Sequence, residues 1–218
     1  MNITSESELD ALYGEPVPTA LTKEIEYISE DYARYIAASP LLILATSGPE
    51  GLDCSPRGDP AGFVRIHDPK TLIIPDRRGN NRVDSLRNIV RDPRVGLLFL
   101  IPGIEGTMRV NGRAALSTDP DLCASFAMGG KAPKCVIVVH VERAYIQCKK
   151  ALVRGRIWDA ASHVSPSDLP SVGEMMQQES FVTHGRMRIS TTSATVSKVK
   201  RVPPRRRSTT ASAGGPSR

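Results

Sequence analysis

Apolar residues follow two different periodicities along this chain, and the change between them separates a helical region from a region of strands. In residues 8–39 they recur every three or four positions, with interruptions at Pro16 and Pro18, which predicts helical structure. From Leu41 to Gln147, short apolar runs alternate with turn residues, which predicts strands joined by short connections. The β-branched run from Cys135 to Val141 is typical of a central strand. Together these patterns predict a mainly β, α+β fold: a small barrel with flanking helices.

The most distinctive segment connects one of these strands to a helix. An apolar strand ends at Pro75, and a helix is predicted over Arg82–Arg91. A helix N-terminus offers unpaired N–H groups and a partial positive charge, and arginine presents a fork of donors that matches phosphate oxygens. We therefore expect an anion site here, suited to a phosphate; the alternative is a solvated turn that carries surface arginines. The polar residues of this loop are Arg77, Arg78, Asn80, Asn81 and Arg82.

Four strings in the strand region occur in the order known from one family. The chain resembles the pyridoxamine 5'-phosphate oxidase-related, FMN-binding split-barrel family, in the branch with PRGD and IPDRxGNNR strings. The resemblance covers about Tyr27 to Trp158. It implies a split β-barrel, a homodimer, and a flavin bound at the subunit interface. The strings lie at Pro56–Asp59, Ile74–Ile89, Asp92–Gly103 and Met108–Ala114.

The resemblance also implies a cofactor, FMN, with the deazaflavin F420 and haem as alternatives found on related barrels. The classical oxidase closes a serine–arginine–lysine cluster on the phosphate, but this chain has no lysine between Lys70 and Lys131. Arginine and asparagine would supply those contacts instead. Pro75 and Asp76 would approach the flavin ring or ribityl chain, although Asp76 could equally cap its own loop. Arg57, Asn81 and Arg82 are the leading candidates for the phosphate. Arg78 and Asn80 are included in the cofactor site, and at least one of Arg77 and Arg78 is expected to face solvent.

Two further groups are implied by the resemblance, each with a structural alternative. Thr107 and Arg109 would lie on the strand beside the flavin, or simply on an exposed strand face. Lys150, Arg154 and Trp158 would reach the flavin from the partner subunit, or form a surface junction between a strand and a helix. Both groups are included in the predicted cofactor site.

The function implied is an FMN-dependent oxidoreductase acting on a small molecule. The alternative is a non-catalytic flavin or haem carrier. The four histidines are isolated, and His140 lies in an apolar run, so we expect it to be packed. The sequence assigns no catalytic residue, which suits a flavin enzyme because the flavin ring carries out the chemistry.

Charge is distributed unevenly along the chain. Residues 181–218 contain nine arginines and lysines and no acidic residue, whereas the other 180 residues contain 20 basic and 23 acidic ones. The low apolar content predicts disorder from about Ser190. Such a tail could contact nucleic acid or another polyanion, or be an extension without that role. The predicted organisation is a helical segment at 1–40, a flavin-binding barrel at 41–160, an extension at 161–189 and the tail at 190–218.

Other features exclude several classes of protein. No apolar run approaches the roughly 18 residues of a membrane span, and the polar N-terminus lacks the pattern of a signal peptide. We therefore expect no membrane partner and a cytoplasmic location. The cysteines have no metal-ligand spacing, which predicts no metal site and free thiols in or near the core. They are Cys54, Cys123, Cys135 and Cys148.

Overall fold

The computed structural model describes residues 2–177 of the 218-residue chain. The chain divides into two units, Met1–His163 and Val164–Arg218, and only residues 164–177 of the second are described. In the second unit, the described residues form a 3-10 turn and then a helical stretch at 172–177. All elements named below belong to the first unit.

Several predictions concern parts or properties of the chain that the described fold does not test. The predicted tail at 190–218 lies outside the described residues, so its disorder and its polyanion contacts stay predictions. The predicted division at residues 40, 160 and 189 and the cytoplasmic location also stay predictions. In residues 2–177, no helix is long and apolar enough to cross a membrane.

The N-terminal segment is divided into short helices. Ser5 and Glu8 form a reciprocal capping box at the first one, which ends at Gly14 with a positive φ of 67°. The prediction of helix over residues 8–39 is wrong for residues 23–29, between the second and third helices, where Ile25 exchanges backbone hydrogen bonds with Ala144. A local apolar period cannot reveal this tertiary pairing. The helices are α1 (Glu6–Tyr13), α2 (Pro18–Thr22) and α3 (Glu30–Ala38).

Seven strands form one sheet, and every neighbouring pair is antiparallel. The strands are β1 (Leu41–Gly48), β2 (Gly51–Gly58), β3 (Arg65–Asp68), β4 (Thr71–Pro75), β5 (Arg94–Leu100), β6 (Thr107–Ser117) and β7 (Val136–Gln147). Their spatial order is β2-β1-β5-β6-β7-β4-β3. The predicted mainly β architecture with flanking helices is therefore confirmed, and the apolar run after Cys135 forms the interior strand β7.

The main core lies on one face of this sheet, and a smaller cluster that includes Ile73 and Val136 is buried on the other face. Leu42 and Leu44 of β1 are fully buried, whereas their neighbours Ile43 and Ala45 face the other side. Phe99 of β5 continues the buried row. Each such side chain stabilises the fold by about 1.5–3 kcal/mol relative to an exposed one. This alternation fixes the register of strand pairing, because a slip by one residue would expose every buried side chain of the strand.

A β-bulge between Asn111 and Gly112 changes the register of β6 against β7. A Cβ atom at Gly112 would lie 2.0 Å from the carbonyl oxygen of His140. Glycine is therefore required for this close approach of two backbones. His140 itself is exposed, so the prediction that it is packed is wrong.

Three helices complete the unit: α4 (Asp84–Arg91), α5 (Pro120–Ala124) and α6 (Lys150–Gly155). Leu86 and Ile89 of α4 are buried, and this helix packs against β1 and β2. Helix α5 ends at Ala124, and Met128 pairs with Lys131 across a turn of two glycines in the left-handed region.

Candidate functional site

The two ends of the strand order approach each other at the loop that follows β4. Arg57 of β2 donates through Nη1 to Asp76 Oδ1, at 2.7 Å. Arg77 donates through Nε to Asp59 Oδ2, at 2.5 Å. Each segment thus supplies one acid and one base, and we call these two contacts the crossed ion pairs. They join β2 to the loop after β4, although four strands separate β2 from β4 in the sheet, so the sheet is curled.

One buried donor of Arg57 has no partner in this arrangement of the described residues. Its Nε atom is buried and has no hydrogen-bond partner among the described residues. A buried donor without a partner costs about 1–3 kcal/mol. The position is therefore suited to an acceptor supplied by a bound ligand.

Beyond the crossed ion pairs, residues 78–83 form an exposed loop that leads into α4. The Asn80 side chain accepts a hydrogen bond from the Arg82 backbone N–H, and Arg82 Nε donates to Asp84 Oδ2 at 2.7 Å. Asn81 and Val83 have positive φ values of 61° and 52°. For a β-branched residue such as Val83 this is unusual, and such backbones are common at ligand clamps.

The start of α4 has no side-chain cap. Val83 occupies the N-cap position, and valine has no side-chain acceptor for the N–H groups of the first turn. Beneath the helix, Ser85 Oγ donates to Asp53 Oδ2 at 2.7 Å, and Ser55 Oγ donates to the same oxygen at 3.2 Å. The sequence did not indicate this polar layer, since Asp53 belongs to no motif.

Burial and charge keep the nearby thiol neutral. Burial raises the pKa of the Cys135 thiol, and the carboxylate of Asp76 raises it further. A thiol that remains protonated is a poor nucleophile. Cys123 and Cys135 are buried as expected of free thiols, whereas Cys54 and Cys148 are exposed.

Thr107 and Arg109 lie at the start of β6, in a different set of contacts. Thr107 is buried, and Arg109 Nη1 donates to the Tyr145 hydroxyl at 2.9 Å. The Arg109 guanidinium and the Lys23 ammonium also lie 5.5 and 5.9 Å from the centre of the Tyr145 ring, within range of cation–π attraction. Sequence reasoning missed Lys23 and Tyr145, which lie far from Arg109 in the chain.

The segment around α6 packs on the turn between β5 and β6. Trp158 Nε1 donates to the Ile104 carbonyl at 2.9 Å, while Lys150 and Arg154 are exposed. These observations fit the surface junction that was the alternative for this segment. Within one chain, the described contacts bring Arg57, Asp76 and the loop to α4 together, and they do not join Arg109 or Trp158 to that loop.

Among residues 2–177, no group of three or more histidine, cysteine, aspartate or glutamate side chains has the arrangement of a metal site. A cavity of about 360 Å³ is lined by Leu21, Glu24, Ile25, Glu26 and Arg143. None of its lining residues is a predicted site residue.

Comparison with known proteins agrees with this architecture. The family model described as pyridoxamine 5'-phosphate oxidase matches residues 28–148, which is more than half of the chain. The chain belongs to the pyridoxamine 5'-phosphate oxidase family. Its curled antiparallel sheet with flanking helices is the split β-barrel of that family. No curated protein matches the sequence.

Several solved structures are similar to this member of the pyridoxamine 5'-phosphate oxidase family. HupZ of Group A Streptococcus is 23% identical, with a TM-score of 0.44 over 55% of this chain and 93% of that one. General Stress Protein 26 of Bacillus anthracis is 16% identical, with a TM-score of 0.40 over 52% and 88%. An F420 reductase is 17% identical, with a TM-score of 0.41 over 56% and 100%.

Proposed function

We propose that this chain binds FMN in a homodimer and acts as a flavin-dependent oxidoreductase on a small molecule. The observation that carries the proposal is the buried Nε atom of Arg57, which has no partner among the described residues. A phosphate oxygen would satisfy this donor with a charge-assisted hydrogen bond. Membership in the pyridoxamine 5'-phosphate oxidase family makes the flavin phosphate the natural source of that oxygen.

The surroundings of Arg57 fit a phosphate. Arg78, Asn81 and Arg82 are exposed on the loop that leads to α4. The first turn of α4 has no side-chain cap, so its N–H groups and the partial positive charge of the helix remain available to an anion. In this proposal Arg57, Arg78, Asn81 and Arg82 hold the phosphate, and Asn80 orders the loop through its hydrogen bond to the Arg82 N–H.

Pro75 and Asp76 have a supporting part in this arrangement. Pro75 is buried at the end of β4, and the Asp76 carboxylate is already bonded to Arg57. The Asp76 N–H donates to the Cys135 carbonyl at 3.1 Å. We therefore place these two residues at the wall of the flavin site, with Asp76 orienting the arginine that binds the phosphate.

A second copy of the chain is proposed because an apolar part of one sheet face, on β1, β2 and β5, is left partly exposed by the residues that the structure describes. On the face opposite the core, Ile43 of β1 is flanked by Pro56 of β2 and Leu98 of β5. Leu52, at the start of β2, is 90% exposed. Contact between two such faces would bury apolar surface, which is the main favourable contribution to association. In such a dimer Arg109, Lys150, Arg154 and Trp158 of one subunit would complete the site of the other, while the buried Thr107 would support the strand that carries Arg109.

The bound flavin would supply the redox chemistry, and the protein would supply position and electrostatics. Arg57 and the α4 terminus would fix the phosphate end. The positive charges of Arg109 and Lys23 would favour an anionic or electron-rich group near the Tyr145 ring. Any proton needed in the reaction would be supplied by the substrate, by solvent or by groups outside the described residues.

Reconstitution of the purified protein tests this proposal. We expect it to sediment as a dimer, to retain FMN through gel filtration, and to show the two visible absorption bands of oxidised flavin. Reduction by a nicotinamide or deazaflavin donor, followed by reoxidation with an added acceptor, would establish an oxidoreductase. A Soret band, or flavin that is never reduced by such donors, would favour the carrier alternative. Failure to bind any flavin or haem would contradict the proposal.

A further inference from the structure

The crossed ion pairs give separate roles to residues that are neighbours in sequence. Arg57 and Asp59 lie two residues apart at the end of β2, and Asp76 and Arg77 are adjacent after β4. The Asp59 side chain is only 7% exposed. Two acids and two bases thus neutralise one another, which lets four charged groups be partly buried at this junction.

Arg77 also fastens a third segment to the junction. Its Nη1 donates to the Phe126 carbonyl at 2.6 Å, while its Nε is bonded to Asp59. Phe126 follows α5, so one planar guanidinium joins the end of β2, the loop after β4 and the connection to β7. Arg65 binds the preceding carbonyl, that of Ser125, at 3.2 Å.

Two donors of Arg77 are thus bonded to the protein. The next residue, Arg78, is exposed. The loop 78–83 starts directly at this junction. Its two left-handed residues, Asn81 and Val83, then direct the chain into α4. The position of the loop therefore depends on where Asp76 and Arg77 are held.

We propose that Asp59 and Arg77 are positioning residues for the phosphate-binding loop, which they hold without contacting the ligand. This inference rests on the proposed function, because the loop is the proposed phosphate site. The Arg57–Asp76 pair orients Arg57, which is proposed to bind the phosphate. The Asp59–Arg77 pair fixes the loop that carries the other proposed phosphate ligands. The PRGD and IPDRR strings are thus two halves of one junction.

The test uses Asp59→Asn and Arg77→Lys in the full-length protein, with FMN affinity measured by quenching of flavin fluorescence. Arg77→Lys keeps the charge but cannot serve Asp59 and Phe126 in one plane. We expect each variant to bind FMN about tenfold more weakly, the size of one lost charge-assisted contact. The matched control is Glu50→Gln, which removes an exposed ion pair with Arg91 outside the junction and should leave the affinity unchanged.

A charge-swapped variant, Asp59→Arg with Arg77→Asp, separates positioning from general stability. Binding restored to within about threefold of the wild type would support the pair. Variants that melt at lower temperature but bind FMN like the wild type would overturn the proposal. If Asp59→Asn does not fold, Arg77→Lys tests the same contact from its other side.

A readout without ligand distinguishes this inference from the proposed function. Amide hydrogen exchange of the apo protein should be faster in Asp59→Asn and Arg77→Lys than in the wild type at Asp76 and Arg82, the loop residues whose N–H groups donate hydrogen bonds. If the wild type binds no FMN but the exchange changes as expected, the proposed function fails and the positioning role stands. Unchanged exchange in this loop contradicts the positioning role whatever the protein binds.

Discussion

Two adjacent arginines in the loop between β4 and α4 have opposite environments. Arg77 is bonded to Asp59 and to the Phe126 carbonyl, and its side chain is mostly buried. Arg78 is exposed. The same contrast divides the loop, because Asp76 and Arg77 are held by the crossed ion pairs while residues 78–83 face solvent.

Under the proposed function, this difference prepares the anion site at low cost. The held half fixes the path of the backbone before any ligand arrives, so less ordering remains to be done on binding. The exposed half keeps its cations hydrated and paired only weakly, as Arg82 is with Asp84. Variants of the held half should therefore change stability and affinity together, and variants of the charged side chains in the exposed half should change affinity alone.

The largest effect is expected for Arg57→Ala. The change removes the unpaired Nε donor and leaves the Asp76 carboxylate without its partner. We expect FMN affinity to fall roughly tenfold to a hundredfold, from a lost charge-assisted bond of about 1.5–3 kcal/mol. The unpaired carboxylate should also lower the free energy of unfolding by about 1–3 kcal/mol. Fluorescence titration measures the affinity, and urea denaturation measures the stability. A loss of affinity at unchanged stability would contradict a stabilising role for the Arg57–Asp76 pair.

Arg82→Ala should produce a loss of affinity of similar or smaller size without the loss of stability. The Arg82 side chain is 78% exposed, and an exposed pair such as Arg82–Asp84 contributes about 0–1 kcal/mol. Arg87→Ala is the matched control, because Arg87 is an exposed arginine of α4 outside the loop. Equal FMN binding by the Arg82 and Arg87 variants would argue against a phosphate contact at Arg82.

A smaller effect, on stability, is expected for glycine substitutions of Val83, just before α4, and of Val90 within it. Only the second should destabilise the protein. Val83 has a φ of 52°, which costs an L-residue roughly 1–2 kcal/mol, and glycine removes this cost. Glycine also gives the unfolded chain more conformational freedom, which offsets part of this gain. Val83→Gly should therefore be neutral or stabilising. Val90→Gly, in the helix and 74% exposed, should destabilise by about 0.5–1 kcal/mol. Thermal unfolding compares the two, and a larger loss at Val83 would contradict the strained loop.

The smallest effect concerns an exposed ion pair beyond the other end of α4. Hydrogen bonds from the Arg94 side chain lower the pKa of Asp92 from 3.8 to about 2, and the Arg94 backbone N–H adds to this. Because the folded pKa is depressed, the stabilisation is present above about pH 4 and is lost as the pH falls toward 2. In Arg94→Gln, NMR titration should show the Asp92 pKa moving back toward 3.8, though incompletely, since the backbone hydrogen bond at 3.1 Å remains. An unchanged Asp92 pKa would exclude Arg94 as the cause.

Much of the fold was readable from local pattern. The change from helical spacing to short apolar runs predicted the mainly β unit, and the strand ending at Pro75 and a helix close to Asp84 were both predicted. Local signals succeed here because each strand and helix buries one regular face. The strand order was not readable, since it depends on pairings between distant segments such as β1 with β5.

The candidate site was readable only in part. Its arginines were identified by type and position, but their division into held and exposed groups was not. That division depends on Asp59 meeting Arg77 and on Asp76 meeting Arg57, across separations of 18 and 19 residues. The left-handed Val83 was also hidden, because valine disfavours that conformation and only tertiary structure imposes it.

The most direct test of the phosphate site compares FMN with riboflavin, which lacks the phosphate. We expect the wild type to bind FMN at least about a hundredfold more tightly than riboflavin, as two or more charge-assisted contacts require. In Arg82→Ala this preference should shrink about tenfold or more, through weaker FMN binding at unchanged riboflavin affinity. Equal affinity of the wild type for the two flavins, or the same preference in the variant, would contradict a phosphate held by the loop between β4 and α4.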